Sequence, residues 1–328
     1  HTPATPLREM DATGELDVLR LHLSRLNIEA EVAGGFLQGT QTVRYLPPQQ
    51  PLVSIIIPTR DKADLLGMCL DGLLDKTTYD NYEIIIVDNG SFEASTQTLF
   101  ERLPQERVTV IRDDLPFNYS RLNNLAVHQA NGDVICLMNN DIEILSPNWV
   151  EEMLSFVCQP DIGCVGARLW FPDGRLQHAG VITGLGGLAG HPNKYFPRGH
   201  WGYAARAVLA QSLSAVTAAC LMVRREVWEQ TQGLDETLAI AYNDVDFCLR
   251  VQAAGYRNVW TPYAEMNHHE SASRGNETTP EKQARYEEEI NRMKTRWGEA
   301  LINDPAYSPN LTLSHDDFSL AWPPRVTA

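Results

Sequence analysis

Val53-Ser54-Ile55-Ile56-Ile57-Pro58-Thr59-Arg60-Asp61 is the stretch on which the fold turns. Its core is almost wholly β-branched, a composition that suits a strand covered on both faces, and Pro58 closes the run. Downstream, Leu65, Leu66, Cys69, Leu70, Leu73 and Leu74 recur at helical spacing. Glu83 to Val87 reads as a second buried strand and Val108 to Ile111 as a third. Arg121 to Ala130 is helical, Asp133 to Met138 is a fourth strand, and Trp149 to Val157 is another helix. Strands alternating with helices predict βαβ units, so the expected fold class is α/β with a Rossmann-like, mostly parallel sheet flanked by helices.

The pattern weakens away from this centre. Residues 13–26 predict a short amphipathic helix, and the Gly/Gln/Pro-rich stretch from Gly34 to Pro51 reads as a linker. After Pro160 the regularity fades, and residues 171–202, rich in Gly, Pro and His, read as a long functional loop. Helical segments follow near 224–231 and 244–254, then an apolar stretch to Val259-Trp260 and a charged helix over 281–297. The tail after Pro305 has no pattern.

A chain of 328 residues is long enough to bury roughly three quarters of its unfolded surface without a disulfide or metal staple. Lys plus Arg number 27 and Asp plus Glu 42, a net charge of −15. Such a surface repels phosphate backbones, which argues against a nucleic-acid partner or general binding to anionic membranes. A phosphate ligand must then be held locally, by a few basic residues, backbone amides or a metal ion. The six cysteines form no C-x-x-C pair and read as reduced, buried thiols of a cytosolic protein. The longest uncharged stretch, Ala207 to Val223, reads as buried core and is short for a bilayer span, so no transmembrane anchor is expected. No secretory signal opens the chain, and His1 in first position reads as a segment cut from a longer polypeptide.

The chemistry gathers where strands end. The first strand runs into Thr59-Arg60-Asp61, the second into Asp88-Asn89-Gly90-Ser91, and the fourth into Asn139-Asn140-Asp141-Ile142-Glu143. Each alone is an ordinary turn or helix cap. Together they lie where parallel α/β sheets bind ligands, at the carboxyl ends of the strands. One Asp, helped by an amide oxygen or water, could seat a metal-bound diphosphate, because Mg²⁺ usually takes only one or two carboxylates beside phosphate oxygens. In Asn243-Asp244-Val245-Asp246 the acids open a helix, either as caps or with Asp244 as a general base kept ionised by the helix N-terminus. In Asn267-His268-His269-Glu270-Ser271-Ala272-Ser273-Arg274 a His could hold a metal or be structural, and the Ser and Arg could hold phosphate oxygens. Gly184-Leu185-Gly186-Gly187-Leu188-Ala189 fits G-x-G-x-x-A loosely but follows no strong strand and has no acid about 20 residues later, so it is not read as a dinucleotide site.

These landmarks, in order and spacing, resemble the glycosyltransferase family 2 enzymes with the GT-A fold, over roughly residues 52–274. The matching stretches are Ser54 to Thr59, Val87 to Ser91, the Asn139-Asn140-Asp141 position, Gly233-Leu234-Asp235-Glu236, Asn243 to Asp246 and His268 to Ser271. Phe171-Pro172-Asp173-Gly174 with Gln177-His178-Ala179-Gly180 looks like bacterial enzymes that build O-antigen or capsule-type polysaccharide. The resemblance implies a nucleotide-sugar site of Pro58, Thr59, Arg60, Asp88, Asn123, Asn139, Asn140 and Arg274, with Asp141 and His268 holding Mg²⁺ or Mn²⁺ and Asp244 as catalytic base. It implies inverting, metal-dependent transfer from a UDP- or dTDP-linked sugar to a hydroxyl of a glycan or lipid-linked acceptor, in the cytoplasm with peripheral membrane association. Two departures stand out. Asn139 replaces the first acid of the usual D-x-D, and Asn243 replaces an acid that often precedes the base.

The implied organisation is a leader and linker over 1–50 and a glycosyltransferase domain over 51–275, with a C-terminal helix and tail over 276–328. Within the domain, 51–150 would be the nucleotide half and 151–275 the acceptor half. The leader is similar to segments that precede such a domain in multi-domain chains. Trp170, Phe171, Tyr195, Phe196, Trp201 and Tyr203 could stack on sugar rings or pack in the core. The rivals are a nucleotidyltransferase and a non-catalytic domain binding sugar nucleotide or glycan in a larger synthase. The first lacks its Gly-rich loop here, with no glycine after the first strand until Gly67, whereas Asn139 and Asn243 motivate the second.

Overall fold

The computed structural model describes residues 12–47, 49–269 and 279–325. The chain divides into two compact units, His1–Gln49 and Gln50–Ala328. The first holds α1 (Ala12–Arg25), β1 (Ala30–Gly34) and β2 (Gln41–Tyr45). The stretch read as a linker therefore contains a strand, and β1 and β2 form an antiparallel hairpin. Its turn is closed by the Gly35 N–H donating to the Thr40 carbonyl (2.8 Å) and the Thr40 hydroxyl donating to the Leu37 carbonyl (2.7 Å).

The second unit runs β3 (Val53–Thr59), α2 (Ala63–Asp71), β4 (Tyr82–Asp88), α3 (Ala94–Glu101), β5 (Val108–Arg112), α4 (Tyr119–Gln129), β6 (Val134–Met138), β7 (Ile142–Ile144) and α5 (Trp149–Val157). It continues with β8 (Ile162–Trp170), β9 (Leu176–His178), β10 (Ile182–Thr183), β11 (Ala189–Gly190), β12 (Gln211–Leu213), β13 (Cys220–Arg224), α6 (Arg225–Gln230), α7 (Asn243–Ala253), β14 (Arg257–His268) and α8 (Pro280–Trp297). The main sheet has the order β12-β14-β8-β13-β6-β3-β4-β5, with β7 also on β14 and β9 on β8. Strands β6, β3, β4 and β5 are mutually parallel, β8 and β14 are parallel, and β13 joins these two groups by antiparallel pairing on both sides.

Every residue of β3 is buried. Ile56 joins the hydrophobic cluster that contains Tyr119, Leu122, Leu137 and Val245, whereas Ile55 and Ile57 join the one that contains Leu66, Leu70, Trp149 and Met153. The period-2 alternation thus sends neighbouring side chains to opposite helix layers. The strand runs two residues past Ile57, through Pro58. Pairing with β6 stops at Ile56 while pairing with β4 continues to Thr59, so the missing N–H of Pro58 falls where one neighbour has already departed.

The second half departs further from expectation. Strand β8 is fully buried along its whole length, yet Gly163, Gly166 and Arg168 break its apolar pattern. Gly166 is required by a close approach, since a Cβ there would sit 2.5 Å from the Cβ of Val216. Buried Arg168 is held by distant partners: it pairs with Glu265 (3.6 Å), donates to the Ala207 carbonyl (2.9 Å) and lies over the Trp170 and Trp260 rings. Within Ala207 to Val223, read only as core, lie β12 and the first four residues of β13. The six cysteines are free thiols. Among the described residues, no helix is long and apolar enough to cross a membrane.

Candidate active site

The carboxyl ends of β3, β4 and β6 lie side by side, and a cleft of about 420 Å³ opens over them. It is lined by Pro58, Arg60, Phe117, Tyr119, Asn139, Asn140, Asp141, Ile240, Lys282 and Arg285. The expected Pro58, Arg60, Asn139, Asn140 and Asp141 therefore meet in one place. Thr59 lies behind this wall, its hydroxyl accepting from the Asn140 amide (2.8 Å). Asp88 is not part of the lining: it accepts from the Ser91 N–H (2.9 Å) and pairs with Arg112 (2.6 Å), one strand over from Thr59. Asn123 is buried on α4 one turn beyond Tyr119, donates to the Tyr119 carbonyl (2.7 Å), and leaves its Oδ1 without a protein partner. Arg274 lies outside the described residues, as do Glu270, Ser271 and Ser273.

Asp141 and His268 come together across the sheet. Antiparallel pairing of β7 with β14 sets Ile142 opposite His268, and His268 Nε2 lies 3.2 Å from Asp141 Oδ1. The Gln177 amide donates to the His268 carbonyl (3.3 Å), which turns its Oε1 to His268 Nδ1 at 2.7 Å. Nδ1 is thereby the protonated nitrogen, and Nε2 offers its lone pair beside the carboxylate. Asn139 Nδ2 stands 3.2 Å from the same Nε2. The next His is engaged elsewhere. His269 Nε2 lies 3.2 Å from Glu143 Oε2, which also accepts from Asn267 (2.9 Å). Those contacts, Asn267 foremost, hold the Glu143 carboxyl below its ordinary pKa although burial opposes them. A carboxylate oxygen and an imidazole lone pair fit a hard or borderline divalent cation, whereas the Asn139 amide presents its nitrogen there and ligates nothing in this orientation. Among the described residues no three His, Cys, Asp or Glu side chains converge as a cage, so such an ion would take further ligands from phosphate and water.

Asp244 lies in the first turn of α7, as expected, and Tyr242 caps that helix with φ 59°. Its Oδ2 accepts from the Ala218 N–H (3.1 Å) and its Oδ1 from the Val245 N–H (2.8 Å), with the Thr217 hydroxyl also donating. Burial pushes the carboxyl above the ordinary aspartate pKa, and these donors only partly oppose it. The helix end therefore does not govern its ionisation. Asp244 does not line the cleft, but it shares a corner with it. Tyr119 donates to the Ala218 carbonyl (2.9 Å) and the Asn139 N–H donates to the Ala219 carbonyl (3.0 Å). Asp246, two residues on, is structural: fully buried, it accepts from Arg250 (2.8 Å), Arg296 (2.7 Å) and the Trp297 indole (2.9 Å). Asn243 is buried and donates to the Ile240 carbonyl (3.2 Å).

Sequence reasoning missed Gln177, Tyr119, Lys282 and Arg285. Gln177 stood in a recognisable motif without a role, and the spacing of Lys282 and Arg285 put them on one helix face without saying which way it looked. Of the aromatic residues, Trp170 is buried, Trp201 is exposed, Phe171 stacks on the half-exposed Tyr195 (5.3 Å) and Tyr203 stacks on Phe318 (4.9 Å). The Gly184 stretch is a turn between β10 and β11 packed on the C-terminal segment, where a Cβ on Gly184 would meet the Leu301 carbonyl at 2.2 Å.

Comparison with known proteins places this architecture. The family model described as glycosyl transferase family 2 matches residues 54–231, and the chain belongs to that family. "Uncharacterized protein y4gI" of Sinorhizobium fredii is 52% identical over 83% of this chain and 30% of its own length. "O-antigen biosynthesis protein RfbC" of Myxococcus xanthus is 38% identical over 93% of this chain and 24% of its own. The chain thus spans a third or less of these relatives. The fold is GT-A: a mannosyltransferase from Pyrobaculum calidifontis, solved with GDP-Man and Mn²⁺, superposes with a TM-score of 0.52 at 16% identity, covering 83% of this chain and 69% of that one.

Proposed function

We propose that this domain transfers a sugar from a nucleotide-diphosphate donor to a hydroxyl of a glycan or lipid-linked acceptor, with inversion, in bacterial surface-polysaccharide assembly. The observation that carries this reading is the cleft at the ends of β3 and β6, where Asp141 meets His268 and whose wall shares the Thr217–Ala219 corner with Asp244. The likeness to the O-antigen protein supports the polysaccharide setting. The donor is UDP- or dTDP-linked, and the reaction runs on the cytoplasmic side, with the acceptor at the inner membrane face.

Pro58, Arg60 and Asn140 form the wall against which the nucleotide rests, and Thr59, Asp88 and Asn123 support that wall from behind. Asp244 accepts the proton of the acceptor hydroxyl as its oxygen bonds to the anomeric carbon. In the same displacement the anomeric bond to the diphosphate oxygen breaks, and the nucleoside diphosphate leaves with that electron pair. One in-line displacement inverts the centre and needs no covalent enzyme intermediate. Asp141 and His268 would hold Mg²⁺ or Mn²⁺, which supplies electrostatic neutralisation of the leaving diphosphate.

The test is nucleotide release from a panel of UDP- and dTDP-sugars with Mn²⁺, using wild type, Asp141→Ala and Asp244→Asn. Release by wild type that is lost in both variants is the expected result. Pyrophosphate release from a nucleoside triphosphate would instead identify a nucleotidyltransferase. A binding-only domain is the second reading, favoured by Asn139, which presents an amide nitrogen to His268 where a D-x-D acid would stand. Tight donor binding with no nucleotide release, even to water, would establish it.

A further inference from the structure

Two cations on α8 reach the cleft from far down the chain. Lys282 and Arg285 are half-buried and line it beside Arg60, Asn139 and Asp141. The helix that carries them is anchored at its middle and at its far end. Buried Glu289 accepts from the Ile240 N–H (2.9 Å) and the Ala241 N–H (3.1 Å), and Ile240 itself lines the cleft. Farther along, Arg296 pairs with Asp246 (2.7 Å) and Asp235 (2.6 Å). At the near end Thr279 caps the helix and Pro280 opens it. The positive charge is thus held at the cleft by a rigid element. It answers a need that composition alone raises, because a protein of net charge −15 with Asp141 in its cleft repels a diphosphate unless cations stand close by.

We propose that Lys282 and Arg285 grip the donor's diphosphate directly, so that nucleoside-diphosphate binding keeps a component that needs no divalent cation. Arg285, whose Nε lies 3.7 Å from Glu289 Oε2, would turn its guanidinium edge to phosphate oxygens from that anchored position, and Lys282 would add a mobile point charge. The placement compensates for the single carboxylate at Asp141, since Asn139 adds no charge to hold a metal. This inference rests on the cleft being the nucleotide-sugar site.

Calorimetry with UDP and dTDP, in EDTA and in Mn²⁺, tests it on wild type, Lys282→Ala, Arg285→Ala, Arg285→Lys and the Lys282→Ala/Arg285→Ala double variant. Uridine and thymidine serve as phosphate-free probes, and melting curves confirm that each variant is folded. In EDTA, wild type should bind a diphosphate measurably. The double variant should lose about tenfold or more, as expected for charge-assisted bonds, and show a shallower dependence on salt. Arg285→Lys should retain part of the affinity, and nucleoside binding should be unchanged. Equal diphosphate affinity of wild type and the folded double variant in EDTA overturns the proposal and leaves the site reading standing, as does binding that vanishes wholly in EDTA. Failure of wild type to bind either diphosphate with Mn²⁺ overturns the site reading itself.

Discussion

Two halves of one sheet build the site by different means. In β6-β3-β4-β5 the strands are parallel, and each delivers its own polar tip to the same edge. Asn139, Asn140 and Asp141 reach the cleft because they follow β6, and Pro58 and Arg60 because they lie at the end of β3. In β13-β8-β14-β12 nothing functional lies at the end of a locally obvious strand. His268 reaches Asp141 through the register of β14 against β7, Gln177 reaches His268 from β9, and Asp244 is tied to the loop before β13. The first half positions chemistry by strand ends and the second by long-range pairing. Loss of a group that reacts or would ligate, Asp141 in the first half or Asp244 in the second, should act outright, whereas loss of a residue that only orients such a group, as Gln177 does His268, should act by degrees.

The largest effect is expected from Asp244→Asn, which should lower turnover about 10²–10⁴-fold, the usual worth of a general base, while donor binding by calorimetry stays intact. Because burial raises this carboxyl's pKa, and the base works only when ionised, kcat/KM of wild type should fall on the acid side at a higher pH than an ordinary aspartate would give. A rate profile whose acid limb falls no higher in pH than an ordinary aspartate's breaks the assignment.

Asp141→Ala comes next. It should weaken Mn²⁺-dependent binding of a nucleoside diphosphate about 10²-fold, in keeping with a metal ligand, without touching the smaller affinity left in EDTA. Unchanged Mn²⁺ dependence would mean that the tip of β6 holds no cation. Asp246→Ala probes α7 without touching the cleft. It strips Arg250, Arg296 and the Trp297 indole of a shared, fully buried acceptor, and denaturant unfolding should show a loss of about 2–3 kcal/mol. A change under half that size would make the network ornamental.

Gln177→Leu should give the smallest effect, about a tenfold rise in the Mn²⁺ concentration needed for half-maximal donor binding, because the His268 tautomer loses its outer partner. A Gln177→Glu variant, which keeps an acceptor for Nδ1–H, should recover most of it. Equal behaviour of both variants would show that Gln177 does not orient the imidazole.

The same contrast explains what could be read from the chain. Helix α5 follows the expected Trp149–Val157, and β3, β4 and β6 lie within two residues of their expected ends, because a buried parallel strand or an amphipathic helix writes its environment into a short window. Strand β8 escaped because Gly163 admits Val251, Gly166 admits Val216 and Arg168 is paired with Glu265, partners many residues away. The strand inside the supposed linker escaped for a related reason: β2 is only half-buried, so no apolar run marks it. In the site, the acids at Asp141 and Asp244 were visible by residue type and position. That Asp246 would be consumed by Arg250, Arg296 and Trp297 was not, because two acids at a helix start look alike until the helix acquires neighbours.

The sequence by itself determined the parallel core, the edge at which the cleft opens and the family to which the chain belongs, because those depend on hydrophobic period and on residues that follow a strand directly. Tertiary structure alone decided which His meets Asp141, which acid on α7 is left beside the cleft, and that Lys282 and Arg285 come home to it. Those outcomes depend on strand register and helix docking, which are set by the packing of segments far apart in the chain and leave no periodic mark on any one of them.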